Sequence, residues 1–93
     1  MATQEFLGKP LGHQQITSLV AAAALTVPAG SRVALITCTG QHVRWRDDGK
    51  APTALVGMVL KTTDPPLLYD GNLAAIKFFE TAASAVLNVA YYS

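Results

Sequence analysis

The side chains best placed to do chemistry stand together in Val43–Met58, VRWRDDGKAPTALVGM. Here Arg44 and Arg46 flank Trp45, and the adjacent carboxylates Asp47 and Asp48 lead into Gly49. Paired carboxylates suit acid–base work or a hard cation. On a strand, however, successive side chains point to opposite faces, so Asp47 and Asp48 converge only inside a turn. The calcium-loop spacing D-x-D-x-D-G is absent, and no glutamate lies close enough in sequence to complete a cluster. The pattern therefore predicts a strand running into an Asp-Gly turn. In it, Asp47 or Asp48 caps the turn and pairs with Arg44, Arg46 or a cation of a partner. Trp45 reads first as a core anchor and second as a stacking platform for a sugar or a base.

The other reactive groups are scattered. His13 and His42 lie far apart, without the spacing of a metal pair. The lone Cys38 sits in VALITCTG, a run of strand character with no base nearby in sequence, and reads as a buried, inert thiol that cannot form an internal disulfide. No P-loop, G-x-S-x-G or dinucleotide fingerprint is present. The expectation is no catalytic residue, no cofactor, no metal and no enzyme activity.

Composition narrows the partners. Seven basic residues against six acidic ones give a net charge of +1, which is no footprint for nucleic acid and no basic patch for a membrane surface. The apolar run Leu19–Val27 is far shorter than the roughly 20 residues that cross a bilayer. It also lacks the basic start of a signal peptide, so the default reading is a soluble protein made in the cytoplasm. Half of the 93 residues (51%) are apolar. A chain of this size buries only about 60–65% of its unfolded surface. The surplus predicts a subunit or partner interface, with a homo-oligomer expected and a trimer as the guess.

Local patterning must supply the elements that position these groups. Residues 1–15 carry Gly8, Pro10 and Gly12 and read as an extended N-terminal arm, anchored by Phe6, Leu7 and Leu11; residues 16–93 read as one domain. Short strands are expected over Gln15–Val20 and Ala24–Val27, then through SRVALITCTG and through QHVRWR ahead of the DDGK turn, where alternation puts Val43 and Trp45 on one face and His42, Arg44 and Arg46 on the other. TALVGMVL reads as a further strand with a bulge at Gly57, and LLYDG as a short strand into a second Asp-Gly turn. Alanine content favours a helix over Leu73–Ala85, but Ile76, Phe78 and Phe79 favour strands over Ala74–Thr81 and Val86–Tyr92. About eight short strands with regular turn signals define an all-β chain, an antiparallel β-sandwich or jelly-roll-like barrel. Tyr69, Tyr91 and Tyr92 read as surface or interface tyrosines.

The segments QQITSLVAAAALTVPAGSRVAL, VRWRDDGKAPTALVGMVL and YDGNLAAIKFFETAASAVLNVAYY resemble a family of small proteins encoded among the virion genes of tailed bacteriophages. The resemblance spans Gln14–Tyr92. It is most specific in RWRDDG, in Pro52 and Thr53, in YDGNL and in the terminal LNVAYY. It implies an all-β virion structural protein whose motifs hold the fold, and it leaves head, neck, tail and fibre locations open. The leading expectation is a capsid decoration (cement) protein bound to the major capsid protein or other virion proteins, with Phe6, Leu7, Leu11, Arg44, Arg46, Asp47, Asp48, Tyr69, Tyr91 and Tyr92 as candidate interface residues. The alternatives are a neck, tail or fibre component, and a host-glycan-binding module using Trp45 and the tyrosines.

Overall fold

A computed structural model describes residues 8–93, which form β1 (Pro10–Ile16), β2 (Ala23–Ala24), β3 (Val33–Thr39), β4 (Val43–Arg46), β5 (Met58–Leu60), β6 (Leu67–Tyr69), β7 (Lys77–Glu80) and β8 (Val86–Tyr92). They make two four-stranded antiparallel sheets, a first of order β1-β8-β3-β6 and a second of order β2-β7-β4-β5. The pairings are nested: β1 with β8, β2 with β7, β3 with β6, and β4 with β5. The chain thus doubles back at the β4–β5 connection and rolls up as a ribbon, until β8 meets β3 and β7 meets β4. That winding is a jelly roll, the sharper of the two all-β architectures expected.

Strand alternation builds the core. On β3, Ala34, Ile36 and Cys38 turn inward, and on β8 the opposing Tyr91, Val89 and Leu87 do the same. From the second sheet, Val43 and Phe78 close against them with no exposed surface. Cys38 donates its thiol to the Leu60 carbonyl at 3.3 Å, and burial pushes the thiol pKa up, so it is an inert packing group as expected.

Several boundaries differ from the sequence reading. Residues 10–15, assigned to the arm, belong to β1 and pair with β8 at every position but Leu11. Pro10 is tolerated because it opens an edge strand, and the register shift between Pro10 and Gly12 absorbs the irregularity. Leu11 is consequently packed on the core and is not a free docking anchor. Phe6 and Leu7 lie outside the described residues. The expected strand Gln15–Val20 ends at Ile16, and Ala24–Val27 reduces to Ala23–Ala24. TALVGMVL is a strand only from Met58; before that, Thr53 Oγ1 accepts the N–H groups of Leu55 and Val56, and Thr53 N–H closes onto the Val56 carbonyl. A threonine hydroxyl that bonds its own loop offers the backbone an alternative to the ladder, and here the alternative wins.

Candidate functional site

The residues singled out in VRWRDDGKAPTALVGM all fall at the β4–β5 turn, the tip of the rolled ribbon. β4 delivers them by alternation. Val43 is fully buried, and Trp45, on the same face, packs half-buried against the core. Arg44 and Arg46 occupy the outer face, where Arg44 lies opposite Val59 and Phe79, and Arg46 opposite Lys77.

Each charge has a distinct partner. Arg46 forms a two-pronged pair with Asp48, Nε to Oδ1 at 3.1 Å and Nη2 to Oδ2. Asp48 also accepts the Lys50 N–H at 3.3 Å, and Gly49 turns the chain with φ of 82°. Hydrogen bonding to Arg46 holds the Asp48 carboxyl below its ordinary pKa and raises that of Arg46. This is the expected capped turn. The pair is solvent-exposed, so it sets geometry more than stability.

Arg44 departs from expectation. Instead of a carboxylate, its Nε donates to the Ala54 carbonyl at 3.0 Å and its Nη1 to the Gly57 carbonyl at 2.8 Å. A forked guanidinium suits two carbonyls held at a fixed separation. The clamp fixes a loop whose apolar residues are inverted: Pro52 is fully buried, while Leu55 is 84% and Val56 51% exposed.

Asp47 reaches across the sandwich. It accepts the Tyr69 hydroxyl at 2.9 Å, which ties the turn of the second sheet to β6 of the first. Tyr69 is 8% exposed, and its ring meets Trp45 edge-on with centroids 6.1 Å apart. Burial, then the Asp47 bond and charge, raises the Tyr69 pKa. A Cβ at Gly71 would sit 2.7 Å from Tyr69 Cζ, so the glycine of YDGNL makes room for the ring.

The tyrosines expected at the surface are inside. Tyr91 is 1% exposed and donates its hydroxyl to Gln14 Oε1 at 2.6 Å, and Tyr92 is 9% exposed. With Tyr69, they act within the fold and present almost no area to a partner. The exposed large apolar side chains lie elsewhere: Val20 (70%) before β2, Leu55, Val56, Met58 (62%) and Val59 (39%) in and before β5, and Leu68 (53%) on β6, where Met58, Val59 and Leu68 line one shallow recess. Reading TALVGMVL as one strand hides this, because a strand would not turn both Leu55 and Val56 outward. The usable signal was the threonine at Thr53, two and three residues before them.

A shallow recess beside the turn is lined by Trp45, Arg46, Asp47, Asp48, Gly57 and Met58. Among the described residues no group of three or more histidine, cysteine or acidic side chains is placed to hold a metal ion. His13 is exposed, and His42 Nδ1 accepts the Thr62 N–H at 3.0 Å. No family model, curated protein or solved structure matches the chain.

Proposed function

We propose that the chain is a structural protein of a tailed-bacteriophage virion, and specifically a capsid decoration protein that binds the lattice of the major capsid protein and stabilises the head. The observation that carries this reading is the exposure of large apolar side chains, two of them on a rigidly held loop. Leu55, Val56, Met58 and Leu68 are more than half exposed, and the loop bearing Leu55 and Val56 is clamped by Arg44. Exposed apolar side chains of this size suit a surface that docks on another protein. The motifs that carry the phage resemblance also have internal jobs. RWRDDG makes the clamp and the turn, YDGNL houses the Tyr69 ring, and LNVAYY lies in β8, one of the two inner strands of the first sheet. A net charge of +1 suits a surface that faces protein. The fold alone does not decide, since jelly rolls serve in capsids, lectins and cupins alike.

Capsids assembled without the protein test the reading. Purified protein added back should bind at a number of sites set by the head lattice and should raise the temperature at which the heads rupture. Failure to bind such capsids removes the decoration role. Binding at only a ring's worth of copies moves the protein to the neck or tail. A second reading, a host-glycan-binding module, is favoured by the recess that sets Trp45 beside Asp47 and Asp48. Titration with host surface polysaccharide, followed by Trp45 fluorescence, distinguishes it.

A further inference from the structure

The chain holds two Asp-Gly pairs, Asp48–Gly49 and Asp70–Gly71. Glycine has no side chain to keep its amide from the carboxyl group before it, so such a pair is open to slow internal attack. In sequence the two pairs are equal, and the fold separates them. The Asp48 carboxylate takes both prongs of Arg46 and also the N–H of Lys50, two residues on. Its oxygens are committed to donors other than the Gly49 amide. Arg46 also holds the Asp48 pKa down, and an ionised carboxylate lacks the hydroxyl that has to leave. Asp70 has no such restraint. Among the described residues, Asp47, Asp48 and Asp64 accept hydrogen bonds, whereas the exposed Asp70 carboxylate accepts none. Arg32 lines the same open recess, yet the ion pair among the described residues is Arg46–Asp48 and not Arg32–Asp70. Gly71 lies past the end of β6, and its amide donates to no backbone carbonyl there.

We propose that Asp70 is a site of spontaneous covalent modification, isomerising to a β-linked aspartate through a cyclic imide with Gly71, while Asp48 is protected. The Gly71 nitrogen attacks Asp70 Cγ and a C–N bond forms. The carboxyl C–O bond breaks, and the hydroxyl leaves with the amide proton as water. Water entering by the recess then opens the ring. Opening at Cγ restores aspartate. Opening at the main-chain carbonyl breaks its bond to the Gly71 nitrogen, so that the chain runs through Cβ and Cγ and the old carbonyl becomes a free carboxylate. One water leaves and one enters, mass and charge are unchanged, and no oxidant takes part. The product matters because of what lies against it. The main chain gains one carbon before Gly71, which is packed so closely on Tyr69 that an added Cβ would sit 2.5 Å from Oη. Tyr69 donates that hydroxyl to Asp47, so the modification slackens the tie between the two sheets. The inference stands whether or not the chain belongs to a virion.

The full chain, kept folded for weeks in warm, mildly acidic buffer, is digested with trypsin, and the isomers of equal mass are separated and placed by electron-transfer fragmentation. Conversion at Asp70, in the peptide Thr62–Lys77, should exceed conversion at Asp48, in the peptide ending at Lys50, by at least about tenfold, since a held carboxyl seldom reaches the attacking geometry. In guanidinium, where the fold is lost, the two sites should convert at similar rates. Arg46→Gln should raise conversion at Asp48 in the folded protein and leave Asp70 as it was. The converted protein should melt at a lower temperature than the unconverted. Asp48 converting as fast as Asp70 in the folded wild type overturns the proposal, and so does a folded Asp70 that stays intact while the unfolded chain converts. An Arg46→Gln protein with Asp48 still intact overturns the protection, and an unchanged melting temperature overturns the loss of the tie.

Discussion

Arg44 and Gly57 hold each other in place. The guanidinium Nη1 donates to the Gly57 carbonyl at 2.8 Å, and a Cβ at Gly57 would lie 3.2 Å from Arg44 Cβ and 3.1 Å from the Trp45 carbonyl. Gly57 has φ of 135°, a conformation closed to other residues, so the close approach and the turn both require glycine. Arg44→Ala removes two charge-assisted bonds to carbonyls and should cost about 1.5–3 kcal/mol in denaturant unfolding. Amide exchange at Leu55 and Val56 should speed up more than exchange on β8. Arg44→Lys should rescue little, because one ammonium cannot serve both carbonyls. Gly57→Ala should destabilise by about 1–3 kcal/mol through strain.

Asp47 and Tyr69 form the polar tie between the two sheets at this end of the roll. Tyr69→Phe and Asp47→Asn should each lower stability, and a double-mutant cycle should give coupling of about 0.5–1.5 kcal/mol, since the residues share one bond. Asp48→Asn, one residue further on, breaks the exposed pair with Arg46 and should shift the melting temperature less than Asp47→Asn does. Equal shifts would show that the cross-sheet bond carries no special weight.

Legibility in the sequence followed the reach of the interactions. β8 is readable to the residue because VLNVAYY alternates cleanly, and the strand through VRWR is readable, though not its first residue, from the period of two in HVRWR. The Arg46–Asp48 turn was readable because all its partners lie within a few residues. Asp47–Tyr69 and Tyr91–Gln14 span 22 and 77 residues, and no local pattern announces them. Without those partners, the tyrosines looked like surface. The alternation of LNVAYY does put Tyr91 on the face of Leu87 and Val89, and that was the available clue. β1 was obscured because Pro10 and Gly12 are breakers in general but tolerable on an edge. The nested pairing of the roll is non-local throughout and could not be derived from strand count.

Trp45 sits at the boundary of core and recess, partly buried against the core and opposite Met58. Trp45→Ala should cost about 2–4 kcal/mol, toward the low end for a large aromatic because the site is open on one side. Trp45→Phe should recover most of it, since a smaller ring can still meet Tyr69 edge-on. If Trp45→Phe folds normally yet abolishes binding to a host polysaccharide, the indole serves a ligand as well as the core.

Tyr91 supplies the pH test. Burial pushes its hydroxyl up to about 12 from an ordinary value of 10.0. The neutral form is the one that fits, because the hydroxyl donates to Gln14 Oε1, which also accepts the Thr26 N–H at 3.1 Å. The folded protein therefore binds this proton more tightly than the unfolded chain does. Stability from this group is fully present below the unfolded pKa of 10.0 and is lost as pH rises toward about 12. Tyr69, raised in the same direction by burial and by Asp47, adds to the alkaline loss. Phenolate absorbance followed against pH should show a tyrosine that ionises only as the fold gives way, and Tyr91→Phe should flatten the alkaline fall in melting temperature. A Tyr91→Phe protein with an unchanged alkaline profile would place the sensitivity elsewhere, at Tyr69 first, where Tyr69→Phe gives the same reading. Gln14→Leu completes the argument: it leaves the hydroxyl buried without its acceptor and should cost about 1–3 kcal/mol at neutral pH, where Tyr91→Phe costs less because donor and demand vanish together.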